Sequence, residues 1–191
     1  MQQVERVSIV IPNWNGKKWL PVCLDSLRNQ TFRDFVVYVV DNGSTDGSVE
    51  FMEASYPEVR VVRNSENLGF AEGMNVGIRA SKGEYVVSLN NDTETDPDWL
   101  AELVRQMDRH PEMGSAASAL MDFKDRSRID SLGDGYWLDG RSYKVGSAQL
   151  FHPVTEPFEI LCPCAAASIY RSSMLERIGL FDKDFFAYME D

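Results

Sequence analysis

The sequence predicts an α/β domain whose central sheet is mostly parallel and buried. Two observations point there. Short β-branched runs, "VSIVI", "FVVYVV", "VRVV" and "YVVSL", alternate with segments of helical period, which is the order of successive βαβ units. A parallel sheet is covered by helices on its faces, and its strands read as near-continuous apolar runs, as these do. With 191 residues and 43% hydrophobic content, the chain fits one domain able to bury a core without disulfides.

Each element carries its own signal. "MQQVERVSIVIP" has an apolar run far shorter than the ~20 residues of a membrane span and lacks a small-residue cleavage site. It is expected to be the first strand of a soluble chain. In "GKKWLPVCLDSLRNQ", Leu20, Cys23, Leu24 and Leu27 share one helical face, with Pro21 tolerated near the first turn. "STDGSVEFMEASY" opens on the capping residues Ser, Thr and Asp and stops before Pro57. "GFAEGMNVGIRASKG" sets Gly69, Gly73 and Gly77 along one helical face, each at a cost of ~1 kcal/mol against alanine. Something approaches that face closely, and a neighbouring strand and a bound nucleotide fit the spacing equally. Asp96 before Pro97 reads as an N-cap and first helical residue, and Asp98 falls in the first turn, where the helix dipole favours a negative charge.

Between Asp122 and Glu159 the periodicity dissolves into Gly, Asp, Ser and aromatic residues. The pairs Asp134-Gly135 and Asp139-Gly140 predict hairpin turns, so a small β excursion is expected near 123–160. Such excursions in compact domains usually cover a site. "CAAASIY" then predicts a strand and "SSMLERIG" a short helix stopped by Gly179.

The formal charge of -11 argues against broad attraction to nucleic acid or to an anionic membrane face. Cys23, Cys162 and Cys164 are too few for a four-ligand zinc site, and "CPC" lacks the two-residue spacer of zinc knuckles and redox motifs. They are expected to be reduced, structural thiols in a cytoplasmic protein.

Ligands of open α/β sheets bind beyond the carboxyl ends of the strands, where this chain carries "PNWN", "DNGSTD" and "NND". Neither GxGxxG nor GxxxxGK[ST] follows the first strand, so neither a nicotinamide enzyme nor a P-loop NTPase is supported. With Asp96 and Asp98 assigned to a helix start, Asp92 is the acid left over at a strand exit, beside Asn90 and Asn91. It reads either as a solvated loop acid or as a ligand for Mg²⁺ or Mn²⁺; Mg²⁺ uses one or two protein carboxylates and completes its shell from substrate phosphates and water. Glu190 and Asp191 follow the aromatic "FFAY". Desolvation there would raise a carboxylate pKa and suit it to accept a proton, and a pair of plain surface acids is the alternative.

Taken in order, "VSIVIPNWNG", "VVDNGSTDGS", "NLGFAEGMNVGI", "GEYVVSLNNDT", "IDSLGD" and "GLFDKDFFAYMED" span nearly the whole chain. Together they resemble the GT-A-fold, family 2 inverting glycosyltransferases. The last two segments resemble especially the bacterial rhamnosyltransferase-like branch. The resemblance implies a Rossmann-like nucleotide-diphospho-sugar transferase fold in a single catalytic domain over 1–191, with a nucleotide-binding half at 1–92 and a metal and acceptor half at 93–191.

It further implies that Pro12, Asn13, Trp14 and Asn15 hold the base and ribose, with Trp14 stacking and Asp41 accepting from a pyrimidine imide N–H. Asn67, Gly69 and Asn75 come to the nucleotide side, and Asn91 lies near the ribose. Asn90-Asn91-Asp92 stands where the family has its DxD-type motif, which leaves Asp92 as the carboxylate for Mg²⁺ or Mn²⁺. Asp191 matches the general base, with Glu190 beside it. The implied donor is dTDP-L-rhamnose or a UDP-sugar, and the implied acceptor is a hydroxyl of a bacterial polysaccharide or lipid-linked glycan.

Relatives continue past the "ED" pair with helices that help build the acceptor site and often approach the membrane. The sequence is therefore expected to be truncated there and to work in the cytoplasm, at the inner face of the plasma membrane. Ala165 and Ala166 stand where relatives often have glycine. Two other readings are a nucleotide-sugar binding module without turnover and a sugar-1-phosphate nucleotidyltransferase. The latter class resembles a Gly-rich, Arg-containing loop after the first strand, and "PNWNGKKWL" does not look like it.

Overall fold

The computed structural model describes residues 5–153 and 156–188. The four β-branched runs become β1 (Val7–Asn13), β2 (Phe35–Asn42), β3 (Arg60–Asn64) and β4 (Tyr85–Leu89). They pair in parallel, β1 with both β2 and β4, and β2 with β3. Two further strands, β5 (Ser115–Ala117) and β10 (Ala167–Arg171), extend the sheet in the order β3-β2-β1-β4-β10-β5, with β10 antiparallel to both neighbours. The expected mostly parallel sheet is present; the run "CAAASIY" supplies its antiparallel strand β10, and β5 forms the edge beyond it.

Alternate residues of each strand serve opposite faces. Val7, Ile9, Ile11, Val37 and Val39 pack with α1 (Leu20–Arg28), α2 (Ser48–Ser55) and α4 (Trp99–Arg109). Val10, Tyr38, Val40 and Val86 pack against Met74 of α3 (Gly69–Ala80) and Leu175 of α5 (Ser172–Ile178). Burial on both faces is why these strands need no polar alternation. The predicted α1 face is buried, and Pro21 sits in its first turn, where no helical hydrogen bond is lost. Gly179 ends α5 at φ +99°. Among the described residues no helix is long and apolar enough to cross a membrane.

Three local expectations are corrected. The cap of α2 is Gly47 in the left-handed conformation at φ +78°; Asp46 just before it accepts the Ser48 N–H at 3.0 Å. Helix α4 begins at Trp99, after Asp98, and not at Pro97. Its first turn is capped from afar: buried Gln30 accepts the Leu100 N–H at 2.9 Å and donates to the Asp96 carbonyl at 2.7 Å. Asp96 closes the turn before the helix by accepting the Asp98 N–H at 3.0 Å. A cap supplied by a side chain far away in sequence leaves no local signature.

The third correction concerns the excursion. It forms β6 (Leu120–Met121) with β7 (Ile129–Ser131), and a hairpin of β8 (Asp134–Tyr136) with β9 (Ser142–Lys144). Asp139-Gly140 makes the hairpin turn, with Gly140 at φ +83° and its N–H donating to the Trp137 carbonyl at 2.8 Å. Asp134-Gly135 instead lies within β8 and makes no turn.

The glycine-faced helix lies against strands. A Cβ at Gly77 would overlap Val10 Cγ1 and come within 2.9 Å of Val40 Cγ2, and one at Gly73 would meet Asn42 Nδ2 at 2.9 Å. Gly77→Ala is expected to destabilise the fold by roughly 1–3 kcal/mol through overpacking. Chemical denaturation should show this as a lower midpoint at unchanged slope.

Candidate active site

β2 and β3 lie to one side of β1 and β4 to the other. In such sheets the crevice at this reversal of strand order is where ligands bind, outside the carboxyl ends. β1 pairs with β2 along its whole length but with β4 only as far as Val10. From Ile11 onward the two strands part, and Pro12, which has no N–H to leave unpaired, stands in the parted segment.

A chain of side chains bridges that gap. Asp41 Oδ1 accepts Asn13 Nδ2 at 3.0 Å, and Asn13 Oδ1 accepts Asn91 Nδ2 at 2.8 Å. Asp41 Oδ2 accepts the Ser44 N–H at 3.0 Å. Asp41 and Asn13 are 3% and 1% exposed, so the carboxylate is buried but met on both oxygens, as a buried charge requires. Gly16 makes this approach possible, because a Cβ there would overlap both Asn91 Nδ2 and Asn13 Oδ1.

The loops after β1 and β2 are stitched together. Asn15, left-handed at φ +51°, donates its N–H to Ser44 Oγ at 2.8 Å and accepts the Thr45 N–H at 2.9 Å. Asp46 accepts the Lys17 N–H at 2.9 Å and is also bonded by Ser48 Oγ. Desolvation opposes ionisation of Asp46, but these hydrogen bonds outweigh it and hold its carboxyl below the usual range. Trp14, between Asn13 and Asn15, is more than half exposed.

On the neighbouring side, Asn67 accepts the Gly69 N–H at 2.9 Å, and Asn42 donates to the Gly69 carbonyl at 2.9 Å. Asn75 is buried. It donates to the Phe181 carbonyl at 2.8 Å and accepts the Phe181 N–H at 3.0 Å. Together with the bond from the Phe70 N–H to the Phe186 carbonyl at 2.7 Å, this straps the 181–186 segment to α3. Asn75 thus holds the backbone of the C-terminal segment.

Asp92 is exposed at the exit of β4 and borders a cavity of about 750 Å³ that also touches Asn90, Trp99, Met121, Asp130 and Lys144. Among the described residues no three His, Cys, Asp or Glu side chains gather as a metal cage. Asp92 therefore offers one hard oxygen donor group, not a preformed site. Glu190 and Asp191 lie outside the described residues. Ala165 and Ala166 lead into β10, where the Ala166 carbonyl accepts the Asn90 N–H at 2.9 Å.

The structure thus gathers Pro12, Asn13, Trp14, Asn15, Asp41 and Asn91 at one crevice, with Asp92 at its margin and Asn67 and Gly69 on its flank. Sequence reasoning passed over Gly16, Ser44 and the Asp130–Lys144 pair (2.7 Å). Gly16, Ser44 and Asp130 lay within the quoted segments "VSIVIPNWNG", "DNGSTD" and "IDSLGD" without being singled out, and Lys144 lay in none of them. In "IDSLGD", buried Ser131 accepts the Gly133 N–H at 3.0 Å and donates to the Gly133 carbonyl at 2.9 Å, so the motif is a tight turn that brings Asp130 and Asp134 to the cavities.

Residues 8–179 match the family model described as glycosyl transferase family 2. The chain belongs to that family. An uncharacterised glycosyltransferase of Haemophilus influenzae is 36% identical over 105 residues, covering 55% of this chain and 35% of its own length. The chondroitin synthase of Escherichia coli is 34% identical over 101 residues, covering 51% of this chain and 15% of its own. The chain spans no more than about three fifths of the length of these and other curated relatives, 59% at a second H. influenzae glycosyltransferase.

Two solved structures share the fold at low identity. Staphylococcus aureus TarS 1–349 in complex with UDP has a TM-score of 0.71 at 20% identity, covering 97% of this chain and 52% of that one. The mannosyltransferase PcManGT of Pyrobaculum calidifontis, in complex with GDP-Man and Mn²⁺, has a TM-score of 0.66 at 23% identity, covering 94% and 48%. The fold of this glycosyltransferase-family chain is GT-A.

Helix α1 buries a thiol against the turn after β4, with Cys23 Sγ 3.6 Å from the Asn90 carbonyl oxygen. The pKa of Cys23, on the inner face of α1, is pushed up to about 12, by desolvation first, with Asp92 adding and a hydrogen bond from Thr93 opposing. At pH 8 it should resist alkylation in the native protein while Cys162 and Cys164, both partly exposed, react; peptide mass mapping reads this. Because the folded thiol is held neutral, its contribution to stability should be full below the ordinary thiol pKa and decline as pH rises from there towards 12.

Proposed function

We propose that this domain transfers a sugar from a pyrimidine nucleoside diphosphate donor, dTDP-L-rhamnose or a UDP-sugar, to a hydroxyl of a glycan, with inversion. The observation that carries the reading is the Asp41–Asn13–Asn91 chain across the switch-point crevice, which ends directly before the exposed Asp92. UDP bound by TarS and the "IDSLGD" and "FDKDFFAYMED" segments support the donor class.

In this reading Trp14 stacks on the base. Asp41 braces Asn13 and turns its remaining lone pairs to the imide N–H. Asn91 and Asn15 face the ribose, and Asn67 and Gly69 flank the nucleotide. Asp92 fits Mg²⁺ or Mn²⁺ as one hard carboxylate whose partners come mainly from the diphosphate. Asp92 would hold such an ion, which when bound would supply positive charge to offset that of the leaving diphosphate. Asp191, with Glu190 beside it, takes the acceptor proton as that oxygen attacks the anomeric carbon opposite the diphosphate. One C–O bond forms and the bond to the diphosphate breaks. Residues 1–92 then act as the nucleotide half and 93–191 as the metal and acceptor half, working at the cytoplasmic membrane face.

A thermal-shift screen of UDP, dTDP, GDP and ADP with and without Mn²⁺ should give a metal-dependent rise with a pyrimidine nucleotide alone. Asp92→Ala should abolish that dependence and lower turnover by about a hundredfold or more, with an unchanged far-UV spectrum. Equal turnover in EDTA would sink the metal assignment. Nucleotide binding without product, in a chain extended beyond Asp191, would favour a binding module over an enzyme.

A further inference from the structure

The loop between β4 and α4, residues 90–98, carries Asp92, and much of it is bonded to the stretch from Ser26 to Thr31 at the end of α1. Gln30 is fully buried, and both polar atoms of its amide are bonded. Its Nε2 donates to Thr95 Oγ1 at 3.0 Å and to the Asp96 carbonyl at 2.7 Å, while its Oε1 accepts the Leu100 N–H at 2.9 Å. Ser26, also buried, accepts the Thr95 N–H at 3.1 Å and lies 3.0 Å from Thr95 Oγ1. The Thr31 N–H donates to the Pro97 carbonyl at 2.8 Å, and the Thr31 hydroxyl donates to Asp98 at 2.8 Å.

The start of the loop is fixed from elsewhere. The Asn90 N–H donates to the Ala166 carbonyl at 2.9 Å, Thr93 Oγ1 donates to the Asn90 carbonyl at 2.7 Å, and Asn91 is held by Asn13. Asp92 therefore stands exposed between two sets of anchors. Capping the Leu100 N–H uses only Oε1 of Gln30. The bonds from Nε2 and Ser26 end on Thr95 and Asp96, before the helix begins, so they hold the loop. A buried polar network with its members satisfied rigidifies what it touches.

We propose that Gln30 and Ser26 are positioning residues for Asp92, acting through Thr95 to hold its loop ready for the metal-bound nucleoside diphosphate. A site that offers one carboxylate cannot enforce its geometry by the number of protein ligands, so its affinity depends on how well that carboxylate is held. A loose loop would lose conformational entropy on binding, and a braced one has lost it already in folding. The inference rests on the donor and metal reading of Asp92.

Titration of UDP and dTDP in the presence of Mn²⁺ tests it, beside hydrogen exchange of the 90–98 backbone. Gln30→Met, Ser26→Ala and Thr95→Val should each raise the dissociation constant about tenfold or more and speed exchange in the loop. Thr95→Ser, which keeps the hydroxyl, should stay at the wild-type value. Gly77→Ala, which lowers stability from the other face of the sheet, should leave the constant unchanged. Thr95→Val and Ser26→Ala keep the Leu100 cap, so they decide the outcome if Gln30→Met fails to fold. Absence of Mn²⁺-dependent binding in the wild type fails the donor reading and this inference with it. Clear wild-type binding that the Thr95→Val and Ser26→Ala variants leave unaltered, or that Gly77→Ala weakens as much as they do, overturns this inference alone.

Discussion

Where β1 and β4 part, two parallel strands stop sharing hydrogen bonds and leave polar backbone ends facing a crevice. The rest of the site depends on how that gap is closed. Asp41 of β2, Asn13 of β1 and Asn91 in the turn after β4 close it with side-chain hydrogen bonds. An apolar filling would have sealed the crevice; amides and a carboxylate keep it polar and of defined width. Burying Asp41 is sustainable because donors meet both of its oxygens, since an unmatched buried carboxylate costs several kcal/mol. Gly16 is the steric condition for the whole arrangement.

A second set of contacts joins distant parts of the chain around the crevice. Asn75 and Phe70 of α3 hold the backbone at Phe181 and Phe186, and a Cβ at Gly69 would meet Phe186. The helix that packs on β1 and β2 through Gly77 therefore also anchors the segment running towards the C-terminus. Its three glycines serve close approach to different partners: the C-terminal segment, Asn42 and the strands. One stripe of small residues thus couples the sheet to the C-terminal segment.

The fold was legible because its signals are local. Four β-branched runs, the apolar face of α1 and Gly179 after α5 each specify their element through nearby residues, and the structure contains them all. The crevice was legible in outline because strand ends follow from strands, so "PNWN", "DNGSTD" and "NND" had to converge. The start of α4 was misread because its cap is Gln30, 70 residues before Leu100, and a local pattern cannot announce a distant donor. Asp134-Gly135 was misread as a turn because its glycine answers a steric demand from Tyr143 across the hairpin.

By itself, the sequence determined the α/β class, the parallel core and which strand ends carry polar residues, because backbone periodicity and side-chain chemistry are written residue by residue. Only the tertiary structure decided that Asn75 clamps Phe181, that Gly77 meets valines and that Tyr136 and Tyr143 share a cavity with Asn90. Those are contacts between segments far apart in the chain, and their geometry exists only once the sheet has brought the segments together.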